Sequence, residues 1–141
     1  MGIDYGERRI GFALSDPSQL ISSPLTTLAN RGTDAFVRSV QELCIQHQII
    51  AIVMGLPLHM DGRIGDKGIK IQELSGSIRE KCHCPVILHD ERWTTLSIHK
   101  TLIETGRSPS RSRQRIDEMA AALILQSFLD RLNYQRKNVE K

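Results

Sequence analysis

From Gly2 to Leu28 apolar and polar residues alternate in short runs broken by glycine, serine and proline, the period-two pattern of hairpin-linked strands. Strands are expected over 2–5, over 9–14 and, after the turn "SDPSQ", over roughly 21–28. The period then lengthens. Phe36, Val37, Val40 and Leu43 fall at helical spacing, which predicts a helix from Thr33, whose hydroxyl suits it to capping, to about His47. "IIAIVM" over 49–54 is a continuous apolar run of the kind found in strands covered on both faces. It leads into "GLPLHMDGRIGDKG", too rich in glycine for a regular element. A second helix is expected over 66–82 with Ile69, Leu74 and Ile78 inward, then a strand over 85–89. "DERWTT" closes that strand and opens a helix over 94–105. After "GRSPSRS" a long last helix should run from about 113 to 134. Three antiparallel strands followed by strand–helix units predict one α/β domain over 1–141, a five-stranded mixed sheet with helices on both faces.

Three acidic positions stand out against this pattern. In the first strand Asp4 shares a face with Gly2, while Ile3 and Tyr5 point the other way. Asp90 and Glu91 follow directly on an apolar strand, at the end from which its loop departs, where α/β sheets gather their chemistry. In the last helix Asp117, Ala121, Ile124 and Phe128 recur at helical spacing, so Asp117 lies on the stripe that packs against the sheet and Glu118 does not. Taken singly, Asp4 is a turn former, "DE" a capping segment, and Asp117 a first-turn acid favoured by the helix dipole. Taken together, inward-facing carboxylates in a small domain call for cations. Magnesium or manganese, which prefer oxygen ligands, would answer that need, and a pair of such ions about 4 Å apart supports phosphodiester cleavage. The residues alone leave Asp90 and Glu91 as alternatives.

Charge supplies a matching half. The net charge is only +3, but residues 107–141 hold eight Lys or Arg against four Asp or Glu. In "RSPSRSRQR", Arg107, Arg111, Arg113 and Arg115 sit just before or inside a helix start, where the dipole disfavours positive charge, so an external anion such as a phosphate backbone is their natural partner. Arg8 and Arg9 after the first turn, and Arg92 beside the acidic pair, extend the basic set. Trp93 is the one aromatic placed for base stacking. Asp4, Glu7, Arg8 and Arg9 leave no room for an apolar signal segment near the start, and no run approaches the roughly 18 apolar residues of a membrane span. Cys44, Cys82 and Cys84 lack disulfide-framework spacing, which suits a reducing cytoplasm, and "CHCP" lacks the second ligand pair of a structural zinc site.

"GIDYGERRIGFALSD", "GLPLHMDGRIG", "DERWTT" and "RIDEMAAALILQSFL" occur in the order of the YqgF (RuvX) family, and the resemblance spans nearly the whole chain. Members of that family are described as pre-16S rRNA nucleases and, earlier, as Holliday junction resolvases. The resemblance implies an RNase H-like fold and metal-dependent phosphodiester hydrolysis with one or two Mg2+ or Mn2+ ions. It places the family's acidic residues on Asp4, Glu91 and Asp117, so it favours Glu91 over Asp90. It sets Gly55, Leu56 and Pro57 beside the active site, shaping the substrate groove. Two departures are visible. Members usually carry several more apolar residues ahead of the first motif, and Trp93 stands where leucine is usual.

The implied activity is 5′-end processing of pre-16S rRNA in ribosome biogenesis, with RNA preferred over DNA junctions, the pre-ribosome as a partner, no membrane, and a monomer or weak homodimer as the working state. Three other readings are distinct. A junction resolvase requires paired sites and therefore a symmetric dimer. A non-catalytic nucleic-acid module would bind in EDTA and cleave nothing. "GIDYG" also resembles the phosphate turn of actin-like and sugar-kinase ATPases, but those clamp ATP between two such domains and this chain holds one.

Overall fold

The computed structural model describes the backbone of residues 1–93 and 109–139 and the side chains of residues 1–92 and 115–139. The helix expected over 94–105, and Arg107, lie outside the described residues. In chain order the elements are β1 (Gly2–Tyr5), β2 (Arg9–Ser15), β3 (Ser22–Ala29), α1 (Thr33–His47), β4 (Ile52–Leu56), α2 (Asp66–Cys82), β5 (Val86–Asp90), a 3-10 turn (Glu91–Trp93) and α3 (Pro109–Val139). They build the mixed sheet that the pattern predicts, in the order β3-β2-β1-β4-β5. β1 pairs antiparallel with β2 and parallel with β4, β2 pairs antiparallel with β3, and β4 pairs parallel with β5.

Local chemistry explains the joints. Between β1 and β2 the Gly6 N–H donates to the Arg9 carbonyl at 3.0 Å, and a β-carbon on Gly6 would lie 2.5 Å from that oxygen. Between β2 and β3 the Asp16 carboxylate accepts from the N–H groups of Leu20 and Ile21 and from the Ser18 hydroxyl. These bonds hold its pKa down to about 2. Pro24 is accommodated because β3 is an edge strand, and the β2–β3 register shifts between Phe12 and Ala13, beside it.

Each sheet face buries a different kind of surface. On one face Ile3, Ile10, Phe12, Ile52 and Met54 pack against Phe36, Val40, Ile71, Leu74 and Ile78 of α1 and α2. On the other face the sheet presents small residues, and α3 lies close upon it. A β-carbon on Gly2 would sit 2.7 Å from the Leu125 β-carbon and 2.8 Å from the Ala121 carbonyl oxygen. Ala13, Val53, Ala121, Ile124, Leu125 and Leu129 fill this second core. Among the described residues no helix is long and apolar enough to cross a membrane.

The structure moves several predicted boundaries. β4 begins at Ile52, not Ile49, because Gln48 in the left-handed region ends α1 and the Ile49 N–H donates back to the Cys44 carbonyl; Ile50 is left 71% exposed. The same strand continues through Gly55 and Leu56, which pair with His89 and Asp90. Gly32, at φ 102°, occupies the cap position of α1 in place of Thr33, whose hydroxyl instead receives Lys70 Nζ. In α2 the buried stripe runs through Ile71, Leu74 and Ile78, and this phase turns Ile69 outward, 45% exposed. α3 starts four residues before the expected position and ends five beyond it. The three free cysteines pack half-buried against the first core, and burial followed by the two neighbouring thiols pushes Cys44 up to about 12.

Candidate functional site

β1 carries Asp4 to the sheet face that α3 covers, opposite Gly11 of β2. Gly11 lets the first part of α3 approach that point, since a β-carbon there would lie 2.0 Å from the Asp117 carbonyl oxygen. The helix stripe thereby brings Asp117 toward Asp4. From the other side Glu91, the first residue after β5, fills the space above Gly55. A β-carbon on Gly55 would meet Glu91 Oε1 at 2.5 Å and Ile124 Cδ1 at 2.7 Å. Three elements far apart in sequence thus converge three carboxylates at the end of β4 and β5 from which their loops depart.

The electrostatics follow from that convergence. Burial first, then the charges of Glu91 and Asp117, push the Asp4 carboxyl up to about 7. Among the described residues none donates a hydrogen bond to it. Glu91 is likewise raised, by burial and then by Asp90, while Lys67 at the start of α2 pulls it down. The Asp117 Oδ2 receives Arg9 Nε at 2.7 Å. The donor set, three carboxylates with their negative charge held partly out of water, fits a hard divalent cation better than a soft one. Among the described residues no three His, Cys, Asp or Glu side chains stand grouped as metal ligands.

The structure separates the two adjacent acids that the residues alone leave as alternatives. Asp90 faces Arg92, which donates Nη2 to Oδ2 at 2.7 Å, Nε to both oxygens and its backbone N–H to Oδ1 at 2.9 Å. Arg92 Nη1 also reaches the Met60 carbonyl at 3.2 Å and lies over Gly62, so the pair fastens the loop between β4 and α2. That loop folds back on itself through the bridge of Leu58 with Ile64 and a turn at Gly62, φ 90°. Glu91 makes no such bond among the described residues.

The remaining expected residues fall in different places. Arg8 is exposed in the β1–β2 turn, whereas Arg9 is partly covered by its bond to Asp117. Gly55, under the Glu91 side chain, and Leu56 belong to β4, and Pro57 follows them in the chain. Arg115 is exposed on α3; Arg111 and Arg113 lie within that helix, and their side chains, like that of Trp93, are outside the described residues. Sequence reasoning missed Lys67, whose only signal is its place in "GDKG" directly after the glycine-rich loop. It also missed His89, which is buried against Phe128 and hydrogen-bonded to Ser127 Oγ at 2.9 Å.

Comparison with known proteins fits this geometry. Residues 1–131 match the family model RuvX, described as Holliday junction resolvase. A relative from Roseiflexus sp. (strain RS-1) is 41% identical over 130 residues, 92% of each chain. One from Pelotomaculum thermopropionicum is 44% identical over 131 residues, 92% of this chain and 85% of its own. Both are provisionally named pre-16S rRNA nuclease. Among solved structures, Thermus thermophilus RuvC in complex with a Holliday junction substrate superposes with a TM-score of 0.57 at 13% identity, over 94% of both chains. The fowlpox virus resolvase in complex with junction DNA gives 0.53 at 12% identity, over 93% of this chain and 96% of its own. At such identities the likeness is one of fold, the RNase H-like arrangement of sheet and helices.

Proposed function

Because the chain belongs to the RuvX family, we propose that it is a metal-dependent nuclease that hydrolyses phosphodiester bonds in 5′-end processing of pre-16S rRNA in the cytoplasm. The observation that carries this reading is the Asp4 carboxyl, half-buried with no donor among the described residues and faced by Glu91 and Asp117. Such an arrangement is costly for the fold alone and useful for holding cations.

In this reading Asp4, Glu91 and Asp117 hold one or two Mg2+ or Mn2+ ions. When bound, the metal acts as a Lewis acid on the scissile phosphate and makes water a competent nucleophile near neutral pH. The chain's own residues do the rest. Asp4 from β1 and Glu91 from the turn after β5 reach the site from either side of β4, and Asp117 reaches it from α3. Lys67 and the exposed Arg8 and Arg115 offset the charge of flanking phosphates. Gly55 leaves the room above β4 that the Glu91 side chain fills. RNA is the favoured substrate, presented within the pre-ribosome to a monomer or weak homodimer.

The test is Mn2+-dependent cleavage of a 5′-extended 16S rRNA precursor by the wild-type protein and Asp4→Asn, with a four-way DNA junction in parallel. RNA cleavage that disappears in the variant is expected. Cleavage of the junction alone would favour a resolvase, and binding of RNA in EDTA without cleavage at any Mn2+ concentration would favour a non-catalytic module.

A further inference from the structure

One of the three carboxylates already has a cation. Arg9, on the strand paired with β1, places Nε 2.7 Å from Asp117 Oδ2, and the two side chains are 34% and 20% exposed. Asp4 and Glu91 have no comparable partner among the described residues. Arg9 also follows directly on Arg8, whose side chain is exposed in the turn. The Asp117 oxygen that faces a guanidinium is not free to face a divalent ion, and the two cations would repel at that separation. A phosphate, by contrast, offers the guanidinium a fork of oxygens at least as good as one carboxylate oxygen.

We infer that Arg9 is a displaceable internal counter-ion: it holds Asp117 in the substrate-free protein, and a nucleic-acid phosphate draws it off so that Asp117 turns to the metal. The inference rests on the reading of Asp4, Glu91 and Asp117 as a metal site in a nuclease. Arg9 is then a positioning residue that acts through Asp117. It makes metal and nucleic acid cooperative, each raising the affinity for the other by the same factor. A nuclease built in this way completes its metal site chiefly when substrate is present.

The experiment compares wild type, Arg9→Met, Arg9→Lys and Asp4→Asn by two binding measurements and a thermal melt. Mn2+ alone is titrated by calorimetry, and a labelled 5′-extended 16S rRNA fragment is titrated in EDTA by fluorescence anisotropy. Arg9→Met is expected to bind Mn2+ about fivefold more tightly, the scale of a partly exposed ion pair, and RNA several-fold more weakly. Arg9→Lys should move both in the same directions by less, and it carries the test if the methionine variant melts before it can be titrated. Opposite signs are the signature, since general loosening of the fold would weaken both ligands. Unchanged or weaker Mn2+ binding by Arg9→Met, with binding lost in Asp4→Asn, overturns the role of Arg9 and leaves the metal site standing. Unchanged RNA binding overturns it too. Wild-type Mn2+ affinity in Asp4→Asn removes the metal site itself and the inference with it.

Discussion

Gly11 and Asp117 touch backbone to backbone: a β-carbon on the glycine would lie 2.0 Å from the Asp117 carbonyl oxygen and 2.4 Å from its carbonyl carbon. Gly11 is also the register partner of Asp4, so this contact sets how near the carboxylate of the last helix comes to that of the first strand. No flexible side chain is available to give way. Gly11→Ala must therefore lift α3 from the sheet, with an expected loss of about 3 kcal/mol, or roughly 10 °C in Tm. Mn2+ affinity should fall even at temperatures where the variant is folded. Gly76→Ala on the exposed side of α2 is the control, because nothing lies within 4 Å of its added β-carbon. It should gain about 0.5–1 kcal/mol. Equal melting of the two variants would remove the packing argument.

Asp4 links the site to stability through pH. Its pKa is about 7 in the folded protein against 3.8 unperturbed, so the fold prefers the protonated acid. Stability from this preference is complete below about pH 4 and is lost as pH rises through 7. Asp4→Asn escapes the loss. In EDTA the variant should match wild type near pH 4 and exceed it by on the order of 2 to 4 kcal/mol above pH 7, read from denaturant melts across the range. A difference that does not change with pH would mean that Asp4 ionises as an ordinary surface acid. Saturating Mn2+ should reverse the order at alkaline pH, since only wild type keeps the full set of carboxylates.

How far the sequence is legible differs from one residue to the next. Asp117 is readable because it sits on a periodic helix stripe whose other members are apolar, and Asp4 because strand alternation sets it on the face of Gly2, away from Ile3 and Tyr5. Glu91 is not readable in that way. It and Asp90 follow the same strand, and only the Arg92 fork, formed after the chain turns, satisfies one acid and leaves the other. Arg9 reads as a phosphate ligand because the sequence shows a free cation; its bond to Asp117 spans most of the chain and no local pattern encodes it. β4 was displaced by three residues for a related reason. An apolar run announces a strand, but the register is chosen by pairing with β1 and β5 and by where α1 ends.

The division between Asp90 and Glu91 has a kinetic consequence. Glu91→Gln removes a charge from the candidate metal site and should lower cleavage by at least about a thousandfold, with melting nearly unchanged. Asp90→Asn instead releases Arg92 from its fork and frees the β4–α2 loop. A drop of about tenfold is expected, with faster proteolysis between Pro57 and Gly65. Arg92→Ala should reproduce that phenotype, and the double variant should add little, because both substitutions break one clamp. Additive losses, or a Glu91→Gln enzyme near wild-type rate, would reassign the two acids.

The arginines divide by whether their charge is already matched inside the protein. Arg8 is exposed, and among the described residues its side chain has no partner. A phosphate that it meets therefore releases a counter-ion, and Arg8→Ala should weaken RNA binding equally for all sequences while lowering the salt slope by about 0.7. Arg92 is neutralised by Asp90, so its replacement should weaken binding through the loop and leave the slope almost unchanged. Binding titrations of both variants in EDTA at several salt concentrations separate the two effects. If Arg92→Ala lowers the slope as much as Arg8→Ala does, its guanidinium leaves Asp90 to bind phosphate, and the pair is a reserve of positive charge for the substrate, not a clamp.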